Sequence, residues 1–265
     1  LARVGQADRF VGRTPAGVVL VIAPWNYPFL TAANTIVPAL IAGNAVLLKH
    51  AAQTLLAGER FAEALGAAGL PEGLFHNLFL SHDRTARLLG SGTMDHATFT
   101  GSVEAGRAIE RAAAGSFTTL TLELGGKDPA YVREDADLAG AVENLVDGSF
   151  YNSGQSCCGI ERIYVHEGVC QPFLDVSVEL TRQYRLGDPL DLETSLGPMA
   201  SAKAAAQVRG QVEAALAAGA TAHVERQLFP ADAPGTAWLM PQVLTGVDHG
   251  MAIMREETFG PVVGL

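Results

Sequence analysis

Apolar runs with little polar interruption recur along the first half of the chain: Val18-Val19-Leu20-Val21-Ile22, Ala45-Val46-Leu47-Leu48, the stretch from Leu74 to Leu80, and Ala97-Thr98-Phe99. Continuous rather than alternating hydrophobicity is what strands buried on both faces show. A segment of helical character follows each run. Phe61, Leu65 and Ala68 share one stripe after Thr54, and Ala105, Ile109 and Ala112 do so after Ser102, which stands where an N-cap is expected. This alternation predicts an α/β fold built on a parallel sheet. Thr119-Leu120-Thr121-Leu122-Glu123-Leu124 reads as a further strand, which Gly125-Gly126 ends. The domain boundary is placed there, with one domain over 1–124 and a second over 125–265.

The second half restarts the pattern. Ala130-Tyr131-Val132 and Ile163-Tyr164-Val165 are strand candidates, separated by a helix whose Leu138, Ala141, Val142, Leu145 and Val146 form an apolar stripe. Two further helices are predicted over 169–182 and 202–217, the latter opening at Ser201 with Val208, Val212 and Leu216 on one face. Between them, 187–198 is rich in Gly, Pro and Asp and reads as a loop.

Composition narrows the function classes. The chain has 265 residues, 48% of them hydrophobic, enough for a sizeable core. With 28 acidic against 18 basic residues the net charge is -10, and there is no Lys/Arg cluster suited to phosphate backbones, which argues against nucleic acid as a partner. The longest apolar stretch is too short to cross a bilayer. Three cysteines, two of them adjacent at Cys157 and Cys158, make neither a disulfide framework nor a metal-ligand spacing; a reducing, cytoplasmic setting and no metal are expected. The first residue is Leu1, and the apolar Val263-Gly264-Leu265 ends like an interrupted strand, so both ends are expected to be cut.

Four clusters carry candidate chemistry: Pro24-Trp25-Asn26-Tyr27-Pro28, Glu123-Leu124-Gly125-Gly126-Lys127, Gly154-Gln155-Ser156-Cys157, and Glu256-Glu257-Thr258-Phe259-Gly260-Pro261. Together they hold an amide donor, a carboxylate, a thiol and a second carboxylate. Cys157 suits nucleophilic attack on a carbonyl, or else is a buried apolar thiol. Asn26, just past a predicted strand, suits an oxyanion donor or an Asx-type turn. Glu123, inside an otherwise apolar strand, suits a general base whose pKa burial raises, or a salt bridge to Lys127. Lys49 ends a strand, and Gly101-Ser102 opens a helix whose N-terminus could face a phosphate, although most such lysines are merely solvated and most such serines are only caps. Glu256-Glu257 alone reads as a solvated acidic pair. No GxGxxG fingerprint is present.

In these four clusters, and in their order, the chain resembles the NAD(P)-dependent aldehyde dehydrogenase superfamily over nearly all its length, as the central part of a longer relative. The resemblance implies an aldehyde-dehydrogenase-like fold: a parallel-sheet dinucleotide-binding domain and part of an α/β catalytic domain. It implies oxidation of an aldehyde to a carboxylic acid through a cysteine thiohemiacetal and thioester. Cys157 would be the nucleophile, Asn26 the oxyanion donor and Glu123 the base that activates water. Trp25, Lys49, Gly101, Ser102, Glu257 and Phe259 would contact NAD or NADP, with Gly125 beside the nicotinamide. Cys158 and Cys170 are assigned to packing.

Two positions depart from the family pattern. Ala52 stands where NAD-preferring relatives carry a ribose-binding Glu, which removes a repulsion against a 2′-phosphate and leaves the cofactor open; Thr35 stands where many members have Lys. Tyr27, Leu30, Asn34, Tyr151 and Ser156 are expected to border the aldehyde pocket, and the lack of an Arg among them argues against a small dicarboxylate semialdehyde. The parent is expected to be a homo-oligomer, with 1–16 the remainder of an oligomerisation strand. Other readings are a CoA-acylating relative, cysteine-dependent esterase activity alone, and a catalytically inactive nucleotide-binding or interaction module.

Overall fold

The computed structural model describes residues 2–4, 7–9, 12 and 14–265. The chain divides into two compact units, Leu1–Leu124 and Gly125–Leu265. In the first, β1 (Ala2–Val4) pairs antiparallel with β2 (Ala7–Arg9). The rest of the segment assigned to an oligomerisation strand includes positions 1, 5, 6, 10, 11 and 13, which lie outside the described residues.

The apolar runs form a five-stranded parallel sheet. Its strands are β3 (Val18–Ile22), β4 (Ala45–Lys49), β5 (Phe75–Asn77), β6 (His96–Gly101) and β7 (Thr119–Leu124), in the order β5-β4-β3-β6-β7. The connecting helices are α1 (Leu30–Ile41), α2 (Leu55–Ala67), α3 (His82–Gly90) and α4 (Val103–Ala113). Alternate residues of β3 feed two cores. Val19 and Val21 pack with Ile36, Val46 and Leu48 on one face, while Leu20 and Ile22 pack with Leu89, Ala97 and Phe99 on the other. A strand clothed on both faces has no polar side, which is why its sequence does not alternate.

Strand order reverses between β3 and β6. In open α/β sheets the carboxyl ends of the strands at such a switch point are where ligands bind. The turn 24–28 leaves the end of β3 and Gly101-Ser102 leaves the end of β6, so two candidate segments stand at that crevice within the first unit.

The second unit holds another five-stranded sheet. It is built from β8 (Asp128–Val132), β9 (Ile160–Val165), β10 (Thr221–Ala222), β11 (Gln242–Thr245) and β12 (Val262–Gly264), ordered β10-β11-β12-β9-β8, with only the β10–β11 pair antiparallel. Helices α5 (Leu138–Phe150), α6 (Glu167–Arg182) and α7 (Ala202–Ala217), with the short α8 (Ala252–Arg255), complete it. Its cores gather Val142, Val146, Phe150 and Phe173 around β9, and Val208, Leu244, Ile253 and Val262 around α7 and α8. Among the described residues no helix is long and apolar enough to cross a membrane, and no cluster of metal ligands is found.

Candidate active site

In the first unit the sheet sets its candidates at strand ends. Lys49 closes β4 and is only 8% exposed; burial pushes its ammonium pKa down. It borders two cavities of about 350 Å³ each. One also meets Ile22, Phe99, Ser102 and Ile109; the other meets His50, Ala52, Ser81 and His82, with no carboxylate among the described residues that line it. Ser102 is the N-cap of α4, its Oγ accepting from the Ala105 N–H at 3.2 Å. A Cβ at Gly101 would collide with the ring of Phe99.

Trp25 and Asn26 lie half-buried in the turn after β3. That turn is tied down by His50, a residue to which the sequence reading gave no role. His50 is 2% exposed; its Nδ1 accepts from the Ala51 N–H at 3.0 Å, so its proton is on Nε2, which donates to the Pro28 carbonyl at 2.9 Å. Thr54 stands at the N-cap position of α2, as expected, but makes no side-chain cap bond; its Oγ1 lies 2.8 Å from His50 Nδ1.

Glu123 departs from expectation. It stands on β7, at the edge of the sheet, with Thr119, Thr121 and Glu123 all on an exposed face. The burial argued from its apolar neighbours is absent, because an edge strand shows one face to water and its leucines occupy the other. Nor does it hold Lys127, which pairs elsewhere.

The second unit brings three candidate segments into contact. A Cβ at Gly126 would overlap the carbonyl oxygen of Cys157, and one at Gly154 would overlap that of Gly260, so 125–127, 154–157 and 256–261 meet backbone to backbone where only glycine fits. Gly125 itself has φ +57. The approach to Cys157 is a left-handed run, Asn152 (φ 53), Ser153 (φ 57) and Gly154 (φ 69). Two non-glycine residues in this region cost about 1–2 kcal/mol each. Ser153 Oγ donates to the Gly197 carbonyl at 2.7 Å, and Gln155 Oε1 accepts from the Ala200 N–H at 2.7 Å, which holds the run in place.

Cys157 is exposed, yet its thiol is pushed up, first by burial of part of the side chain and then by Cys158 and by the Glu257 carboxylate. Glu257 is half-buried rather than solvated; burial and repulsion from Glu161 raise its pKa, while the Gly126 amide and Lys127 oppose the rise. Cys158 and Cys170 are exposed, so the packing role assigned to them does not hold; Cys158 Sγ sits 3.2 Å from Ser156 Oγ.

At the centre is Glu161, on β9 and 3% exposed, which sequence reasoning missed. Its carboxylate accepts from the Thr258 N–H at 2.8 Å, from the Phe259 N–H at 2.8 Å and from Lys127 Nζ at 2.5 Å. Lys127 also donates to Thr258 Oγ1 at 3.0 Å. A signal was present: side chains alternate along a strand, so Glu161 had to share the face of Ile163, which is buried.

The sequence model of the Aldehyde dehydrogenase family matches residues 3–265. The chain is 37% identical over 264 residues to the succinate-semialdehyde dehydrogenase [NADP(+)] of Mycobacterium avium, covering 99% of this chain and 55% of that protein. Among solved structures it is similar to an aldehyde dehydrogenase from Brucella melitensis biovar abortus (TM-score 0.89, 32% identity, 95% of this chain and 51% of that one). It is also similar to betaine aldehyde dehydrogenase from Staphylococcus aureus in complex with NAD+ (TM-score 0.86, 32% identity, 94% and 50%). The chain thus spans about half the length of the proteins it matches.

Proposed function

Because the chain belongs to the aldehyde dehydrogenase family, we propose that it serves the oxidation of an aldehyde to a carboxylic acid with NAD(P)+, with Cys157 as nucleophile. The observation that carries this reading is the seating of Cys157 against Gly126 and the 257–261 loop, which gathers a thiol and a half-buried carboxylate in one unit.

The residues fit a dinucleotide. A buried cation at the carboxyl end of β4, next to β3 in the sheet and bordering two cavities, suits the adenosine end, where Lys49, Gly101, Ser102 and Trp25 would hold it. Glu257 would accept from ribose hydroxyls, with Phe259 and Gly125 beside the nicotinamide. When bound, the dinucleotide supplies the acceptor for the hydrogen and electron pair that leave the carbonyl carbon.

The chain's own groups do the rest. The raised Cys157 thiol must lose its proton before its sulfur bonds the carbonyl carbon. Asn26 and the Cys157 N–H donate to the oxyanion of the thiohemiacetal, the kind of support that contributes about 3 kcal/mol per donor. After oxidation Glu123 takes a proton from water, the hydroxide adds to the thioester, and the C–S bond breaks to release the acid and restore the thiolate.

NADP+ is the cofactor we infer to be accepted, since Ala52 and the acid-free cavity beside Lys49 leave room and positive charge for a 2′-phosphate. Succinic semialdehyde, named for the Mycobacterium avium relative, is the first substrate to offer, despite the absence of Arg among the pocket candidates.

The test is NAD(P)H absorbance with a panel of aldehydes and either cofactor. Cys157→Ala is expected to abolish turnover, and Glu123→Gln to leave a burst of NAD(P)H followed by slow hydrolysis. Turnover retained in Cys157→Ala overturns the assignment; loss of the burst with steady turnover intact overturns the role of Glu123.

A further inference from the structure

We propose that Glu161 is the positioning residue of the Cys157 centre: its buried carboxylate holds the 257–261 loop, and with it Glu257 and Phe259, against the segments that carry the thiol. The consequence for cofactor rests on the reading of Glu257 and Phe259 as ribose contacts; the positioning itself does not.

The carboxylate is surrounded by donors. Two backbone amides and an ammonium point at it, and Thr258, which supplies one of the amides, is itself 2% exposed. Hydrogen bonds to an ionised acceptor are the strong ones, and here three converge on one group. Phe259 has φ +51, a conformation that an aromatic residue keeps only where its surroundings hold it, and the Glu161 bond to its own N–H does this directly. The loop is also attached through Lys127 Nζ to Thr258 Oγ1 at 3.0 Å, through the Gln242 N–H to the Pro261 carbonyl at 2.9 Å, through Gln211 Nε2 to the Glu257 carbonyl at 3.4 Å, and through the Glu257 carboxylate to the Gly126 amide. Because Gly154 is packed on the Gly260 carbonyl, a displaced loop also disturbs the approach to Cys157.

An amide cannot replace this acid. A glutamine at 161 has one accepting oxygen, and its NH2 must face either Lys127 or an N–H, setting donor against donor. An aspartate keeps the charge but withdraws it by one methylene, so it can serve Lys127 or the two amides but not both well.

The experiment compares the wild-type chain with Glu161→Gln, Glu161→Asp and Glu257→Gln by hydrogen–deuterium exchange, by iodoacetamide alkylation of Cys157 and by NADPH fluorescence titration. In Glu161→Gln, exchange at 257–260 is expected to rise about tenfold or more, the scale of one lost charge-assisted bond, with the strands of the first unit unchanged and the alkylation rate altered. Glu161→Asp should fall between Gln and wild type, and it carries the comparison alone if Gln prevents folding. Wild-type exchange and wild-type alkylation in the folded variants overturn the proposal, whatever NADPH does. Weaker NADPH binding in both Glu161→Gln and Glu257→Gln supports the proposal and its consequence. A loosened loop with NADPH affinity unchanged in both supports the positioning role and overturns the ribose reading of Glu257.

Discussion

At Gly126 a hydrogen stands where any other residue would set a carbon into the Cys157 carbonyl. Backbone cannot swing aside as a side-chain tip can, so Gly126→Ala must part the two segments. We expect a cost of about 1–3 kcal/mol, the usual range for overpacking, seen as a lower melting temperature together with a changed alkylation rate of Cys157. Gly126 was visible in the sequence as a breaker, but not as a contact point, because what it touches lies at residue 157. Glu123 shows the opposite limit. Its apolar neighbours suggested burial, whereas the edge position of its strand, a property of topology, left it in water.

Among the elements, the turn between β3 and α1 is held in part by the His50 imidazole. Burial, reinforced by Lys49 and opposed by the Pro28 carbonyl, lowers the His50 pKa below 6.5. The folded state therefore binds fewer protons than the unfolded one, so this contribution to stability is complete above pH 6.5 and is lost as pH falls through 6.5 toward the lower native value. His96 is lowered by burial too and adds a slope of the same sign. Urea denaturation between about pH 8 and pH 5, a span that brackets the ordinary imidazole range, should show wild type losing more stability than His50→Asn; equal slopes would assign the effect elsewhere. The apolar runs of β3 and β4 were legible because strands covered on both faces leave an unbroken signature. Helix α7 was legible from its stripe and its Ser201 cap, whose Oγ accepts from Ala204 N–H at 3.1 Å. Strand β11 was not, because it is four residues long and opens with a buried Gln242 that serves as a hydrogen-bond partner for His223 and Val224. Helix α1 carries Pro38 within it, against ordinary propensity, because the packing of Ala32 and Ile36 outweighs one missing bond.

On the scale of the whole molecule, the chain spans about half the length of its relatives and still contains two five-stranded sheets, each with a core of its own. On the proposed reading, cofactor choice belongs to this scale, because a net charge of -10 does not favour a phosphorylated ligand and the attraction is assigned to local cations such as Lys49. Ala52→Glu would put an anion into that cavity. It is expected to weaken NADP+ more than NAD+, by about tenfold, in parallel titrations; equal losses would place the 2′-phosphate elsewhere. The left-handed run before Cys157 bears on the order in which the chain takes shape. Ser153, Gln155 and Gly154 are held through Gly197, Ala200 and Gly260, partners between 44 and 106 positions further along. During synthesis the Cys157 thiol therefore leaves the ribosome well before residues 197, 200 and 260, which set the run in front of it.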